Sequence, residues 1–201
     1  LMAYSRPRSG GLIGIKLAEG DELIAARITN GDMDIFLGSE GGKVIRFHED
    51  GVRATARGSM GVRGMRIDPE AAVVGMEVLE SENTLLTVTE NGYGKRSLIE
   101  EYRTPTRGGK GVLSIKTSKR HGKMDSLLLV SDNDELMMVT DKGTLIRISI
   151  GGINVISRNT QGVKLINLAD KEKLIGIARL PEEDEEEPPE AADPESDDTL
   201  E

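Results

Sequence analysis

The segment Arg107-Gly108-Gly109-Lys110-Gly111, which runs into Val112-Leu113-Ser114-Ile115-Lys116, sets glycines between cations. Glycine lets backbone N–H groups come close to an anion, and Arg and Lys supply the charge, so the chemistry such a segment can do is to hold a phosphate. One loop of this kind is an ordinary tight turn with solvated basic residues. Here it has counterparts. Arg57-Gly58-Ser59-Met60-Gly61-Val62-Arg63-Gly64-Met65-Arg66 and Arg158-Asn159-Thr160-Gln161-Gly162-Val163-Lys164 place cations at the same phase. The first set of candidate phosphate contacts is therefore Arg57, Arg63, Arg66, Arg107, Lys110, Lys116, Arg158 and Lys164.

A second set is equivocal. In Lys43-Val44-Ile45-Arg46-Phe47 and Thr144-Leu145-Ile146-Arg147-Ile148, alternation along a strand puts Arg46 and Arg147 on the face opposite their Ile and Phe neighbours. The intervening repeat reads Gly94-Lys95-Arg96 instead. Arg46, Lys95, Arg96 and Arg147 fit a solvent-facing strand cation and a phosphate contact equally well.

Other chemistries lack the residues they need. Gly109-Lys110-Gly111 does not fill the Gly-x-x-x-x-Gly-Lys-Ser/Thr frame of a nucleotide phosphate loop. The spacing of Gly58, Gly61 and Gly64 comes with no strand-to-helix transition, which a dinucleotide site requires. With no cysteine and two distant histidines, His48 and His121, there is almost nothing to build a zinc site from. Both histidines read as surface residues, and no catalytic constellation or cofactor site emerges. Three Tyr, two Phe and no Trp leave few platforms for stacking unpaired bases, so the nucleic acid that suits these cations is a duplex gripped by its phosphates.

The elements that must carry these residues repeat. A Gly followed by an apolar residue recurs as Gly11-Leu12, Gly61-Val62, Gly111-Val112 and Gly162-Val163, with Lys16, Arg66, Lys116 and Asn167 five positions later. Gly42, Gly92 and Gly143 keep the same step, and Arg8, Arg57, Arg107 and Arg158 form a third series. A fixed period near 50 residues marks an array of supersecondary units. Short β-rich runs fill each period: 12–17, 22–28, 34–39 and 43–48; then 62–67, 72–79, 84–89 and 93–99; then 112–117, 126–131, 135–140 and 144–149. Asn91-Gly92 reads as a two-residue hairpin turn. The expected fold is all-β and propeller-like, a partial array of four-stranded blades. Its divisions are 1–11 (the end of a preceding blade), blades at 12–61, 62–111 and 112–162, and closing strands at 163–180. In such an array the basic loops fall on one rim.

Charge divides the chain sharply. Of 35 acidic residues, twelve lie in 181–201, which has no Lys or Arg; the body keeps 26 basic against 23 acidic residues. The acidic segment, with its four prolines, is expected to be a disordered tail. Leu200-Glu201 reads equally as a cloning remnant or a natural end. No apolar run reaches the roughly 18 residues of a membrane helix, and the N-terminus shows no signal pattern, so the expected setting is cytoplasmic, without a membrane.

Taken together, Glu90-Asn91-Gly92-Tyr93-Gly94-Lys95-Arg96, Arg107 to Gly111 and Arg158-Asn159-Thr160-Gln161-Gly162-Val163 closely resemble the C-terminal domain family of bacterial DNA gyrase A subunits, over 1–180. The resemblance implies a six-bladed β-pinwheel whose basic rim wraps double-stranded DNA in support of negative supercoiling. It implies a non-catalytic part of an ATP-dependent topoisomerase, associated with the nucleoid, with A and B subunits in an A2B2 assembly and with ATP and Mg bound on other domains. The chain would hold the end of the third blade, three further units and the tail. The family's first-blade box, Gln-x-x-Gly-Gly-x-Gly, is not matched, because Pro105 stands where its Gln would be. Two alternatives share parts of the pattern. The corresponding domain of topoisomerase IV has the same fold, but Asn-Thr-Gln-Gly-Val and Tyr-Gly-Lys-Arg favour gyrase. A kelch-like interaction propeller has a similar period, but the Gly pairs here fall at different phases.

Overall fold

The computed structural model describes residues 2–6, 8–79 and 84–182. The expected tail therefore lies outside the described residues from 183 onward. The described residues form strands and short turns, with single 3₁₀ turns and no α-helix.

Three antiparallel sheets follow one another. Each is founded on a hairpin: β1 (Asp34–Ser39) with β2 (Lys43–His48), β4 (Thr84–Thr89) with β5 (Tyr93–Leu98), and β8 (Glu135–Thr140) with β9 (Leu145–Ser149). The hairpins at 84–99 and 135–149 bear out the strand reading there. Their turns use three residues, not the two that Asn91-Gly92 suggested. Gly42, Gly92 and Gly143 close them at φ of 76°, 78° and 81°, each N–H reaching back three residues. That is a type I turn followed by a left-handed glycine.

The sheets do not follow the expected division into contiguous blades. The inner neighbour of β1 is β3 (Val73–Leu79) from the next repeat, and the outer neighbour of β2 is β6 (Val112–Leu113) from the repeat after that. The second sheet repeats the scheme, with β7 (Met124–Val130) inside and β10 (Val163–Lys164) outside. In the third, β11 (Leu174–Leu180) lies inside β8, and among the described residues nothing covers β9. Consecutive elements are usually neighbours, which underlies the simpler expectation; here each repeat sends one strand back to the hairpin before it and one edge segment farther back still.

This exchange explains why three expected strands are absent. Residues 22–28 occupy the phase of β3 and β7 but find no preceding hairpin among the described residues. Residues 12–17 and 62–67 occupy the phase of β6, and only the isolated bridge Ile15–Ser59 forms there.

The middle sheet is buried on both faces. Leu85 and Leu129 join one core with Phe36, Tyr102 and Met124, while their chain neighbours Leu86 and Val130 join a second core with Met138 and Ile153. Successive side chains of a strand point to opposite faces, so one strand can serve two cores only when sheets stack on both sides. A smaller cluster of Ile45, Phe47 and Met65 closes the outer face of the first sheet.

Candidate nucleic-acid interface

Two of the three glycine-bearing basic segments form outer edges of the sheets, and the third, 57–66, pairs with no described sheet. Residues 107–113 run antiparallel beside β2, and 158–164 run beside β5. The first-landmark glycines make this approach possible. Gly111 sits at φ 69° with its missing Cβ position 2.5 Å from the Val44 carbonyl oxygen, and Gly162 sits at φ 75°, 2.7 Å from that of Gly94. A side chain at either place would meet both a disfavoured backbone angle and another strand's backbone. Gly11 and Gly61 share the left-handed conformation, at 75° and 73°, but no other strand's backbone lies against them.

Each edge segment is also stitched to the one before it. The backbone N–H of Lys16 donates to the Ser59 carbonyl at 2.9 Å, that of Arg66 to Gly109 at 2.7 Å, and that of Lys116 to Thr160 at 2.8 Å. Donors stand five residues after one landmark glycine, and acceptors stand two residues before the next. The basic segments thus form a ladder that passes from sheet to sheet.

The candidate residues separate into three groups. Arg57, Arg63, Arg66, Lys110, Lys116 and Lys164 stand exposed on the ladder. Arg107 and Arg158 are half-buried ties. The Arg107 guanidinium donates to the Gly51 and Arg63 carbonyls at 2.6 and 3.1 Å, and Arg158 donates to Leu113, which stands 50 residues after Arg63, at 3.1 Å. They hold the segments that carry the exposed cations.

Arg46, Lys95 and Arg96 do not face solvent as strand cations, contrary to the expectation that alternation gave. Arg46 is half-buried; it pairs with Asp34 at 2.6 Å and donates to the carbonyls of Ile99 and Tyr102. Arg96 is buried, donates to the Ile153 carbonyl at 2.8 Å and pairs with Asp132. Lys95 is fully buried, with its ammonium on Ser97 Oγ at 2.7 Å and the Ser157 carbonyl at 2.8 Å. Burial pushes the Lys95 pKa down to about 8, and nearby Arg158 adds to this against the opposing pull of Glu101. Alternation misled because the following repeat's loop covers the strand face that it marked as open. Arg147 alone is exposed, paired with Glu135, since nothing covers β9 among the described residues.

His121 is buried, its Nδ1 2.7 Å from Ser118 Oγ and its ring edge-on to Tyr93, whereas it read as a surface residue. Exposed Arg53 and Arg103 stand four residues before Arg57 and Arg107, and the 50-residue step would have found them. Arg8, Lys16 and Arg57 line an open groove where the first two segments meet. Among the described residues no group of three or more His, Asp or Glu could hold a metal ion, and no helix is long and apolar enough to cross a membrane.

Comparison with known proteins places this architecture among relatives. Residues 3–30, 34–80, 83–132 and 134–181 match the family described as DNA gyrase C-terminal domain, beta-propeller. The chain is 46% identical to the DNA gyrase A subunit of Salmonella typhimurium and 43% identical to that of Escherichia coli K12, over 92% and 93% of its own length. It spans 21% of each of those proteins. A solved DNA gyrase A C-terminal domain superposes with a TM-score of 0.79 at 28% identity, over 86% of this chain and 59% of that one. The C-terminal domain of a DNA topoisomerase IV gives 0.84 at 22% identity, over 89% and 56%, a likeness of fold alone.

Proposed function

Because the chain belongs to the DNA gyrase C-terminal domain family, we propose that its stitched edge binds duplex DNA and bends it around the array, as the non-catalytic DNA-holding part of a gyrase A subunit. The observation that carries the reading is the ladder from Lys16–Ser59 through Arg66–Gly109 to Lys116–Thr160. It turns separate basic loops into one continuous track, with Arg57, Arg63, Arg66, Lys110, Lys116 and Lys164 exposed along it. A track of exposed cations supplies affinity through phosphates, which position a duplex without reading its bases. In this reading the chain works in the bacterial cytoplasm with the remainder of the A subunit, together with a B subunit, in an A2B2 enzyme. ATP and Mg then act on other domains. Gyrase is favoured over topoisomerase IV because the sequence identity lies with gyrase A subunits.

The test is anisotropy of the full chain with two duplexes of unrelated sequence across a salt series. The two should bind alike, with affinity falling steeply as salt rises. Alanine at Arg57, Arg63, Lys110 and Lys116 together should lower the log–log slope by about 0.9 for each phosphate no longer gripped. Unchanged affinity at low salt in that variant, or strong preference for one sequence, would overturn the reading.

A further inference from the structure

The turns that lead from each edge segment to the next inner strand differ in charge. Residues 18–23 carry Glu19, Asp21 and Glu22; residues 68–72 carry Asp68 and Glu70; residues 169–173 balance Asp170 and Glu172 against Lys171 and Lys173. In 118–123 the sign reverses, with Lys119, Arg120 and Lys123 and no acid. Lys123 is neutralised by Glu40 at 2.9 Å. Among the described residues Lys119 and Arg120 make no ion pair, and both are exposed.

This turn is built to present those two cations. Gly122 closes it onto the Ser118 carbonyl at 2.7 Å, and buried His121 anchors it from below through Ser118 Oγ and Tyr93. Asn91 Nδ2 holds the Arg120 carbonyl at 2.9 Å, which turns that acceptor inward. Arg120 lies over the Tyr93 ring, 5.8 Å from its centroid, with Nε donating to the Tyr93 hydroxyl at 3.2 Å. The guanidinium is thus held in place while its Nη groups stay available. A cation fixed before binding loses less entropy on capture of an anion.

We infer that Lys119 and Arg120 form a further phosphate-binding point, where duplex DNA following the edge past Lys116 is gripped at the tip of the β4–β5 hairpin; the inference rests on the duplex-binding reading above. Lys116 belongs to the ladder through its bond to Thr160, and Lys119 follows three residues later, at most ~11 Å away along the chain. That span covers about three phosphates of one strand by axial rise. The ladder repeats and so cannot by itself tell one register from the next. The basic turn occurs once among the four turns of this phase. The acidic turn at 18–23 repels the same backbone, while at 68–72 Asp68 is paired with Lys43 at 2.8 Å, so no cation is left there to attract it. The basic turn therefore fixes where on the array the duplex is held.

The test uses the full chain and a mixed-sequence duplex in a salt series, with polyglutamate as a second probe for an acidic protein partner. Lys119→Ala/Arg120→Ala should lower the log–log slope by about 1.8 and the affinity at low salt by roughly ten-fold. Lys119→Glu leaves the Tyr93 stack untouched, guards against misfolding, and should lower the slope by about 0.9 or more. An unchanged slope in both variants, while the four-alanine edge variant loses slope, overturns this inference and leaves the duplex-binding reading standing. Loss of polyglutamate binding with DNA binding intact also overturns it. If the edge variant too keeps full affinity, the duplex-binding reading is what has failed.

Discussion

Arg96 Nε donates to the carbonyl of Ile153 at 2.8 Å, and Arg46 Nη1 makes the same reach to the carbonyl of Tyr102, at 3.3 Å, one repeat earlier. Tyr102 and Ile153 both close the 3₁₀ turn that follows a hairpin. Each arginine therefore fastens one hairpin to the turn that ends the next, and its charge is spent inside the array.

Arg96→Leu should consequently destabilise the chain. The variant strands a buried carbonyl and unpairs Asp132, which should lower unfolding free energy by about 2–4 kcal/mol. Arg147→Ala, at the equivalent position but exposed on β9, should cost less than about 1 kcal/mol because solvent already screens its pair with Glu135. Urea midpoints of the two variants check this, and equal losses would contradict the difference in burial.

The edge segments make a similar contrast between glycines. Gly111→Ala forces a Cβ into the Val44 carbonyl at a left-handed backbone angle, so a loss of about 3 kcal/mol or more is expected. Gly58 has a comparable φ of 73° but open space around its Cβ position. Gly58→Ala should cost only about 1–2 kcal/mol, the left-handed penalty alone. Thermal denaturation of both variants separates strain from collision.

Lys95 gives a pH dependence with a defined sign. Its pKa is about 8 in the folded chain against 10.5 for the free side chain, so between these values the unfolded state binds more protons. Stability should rise with pH across that window, by at most about 3 kcal/mol, and should be insensitive to this group below it. Tyr102 opposes the trend above about pH 10, because burial raises its pKa and its ionisation in the unfolded chain then favours unfolding. Denaturant titrations from about pH 7.5 to about pH 9.5 isolate the lysine. In Lys95→Met the rise should vanish; a rise that persists would assign it to another group.

The recurring glycines and the charges beside them made the array and its basic segments legible, because a left-handed turn and a close backbone approach leave few other choices at Gly111 or Gly162. Strand exchange was not legible. Val73–Leu79 has the same apolar pattern whether it pairs with the hairpin after it or the one before it, and only the partner decides. The same ambiguity hid Arg96, since alternation gives the face of a strand but not what lies over that face. His121 was missed for a related reason: its partners, Ser118 and Tyr93, single it out only once the turn has folded over the neighbouring hairpin.

Residues 181–201 carry twelve acidic side chains and no basic one, joined at Leu180 to a body with an excess of only three basic residues. On the duplex-binding reading, negative charge tethered to the body at high effective concentration should compete with phosphate for exposed cations such as Arg63, Lys110 and Lys116. The competition is electrostatic, so it weakens as salt shortens the screening length. Ending the chain after Leu180 should tighten binding of a duplex several-fold at low salt, with the gain shrinking toward nothing as salt approaches about 1 M. Replacing the twelve acids by Gln and Asn in the full chain should give the same gain, since it removes charge and keeps length. Equal affinity for the full and shortened chains at low salt would show that the acidic segment does not act on the edge. A gain on shortening that Gln and Asn replacement fails to reproduce would assign the effect to bulk near Leu180 and not to charge.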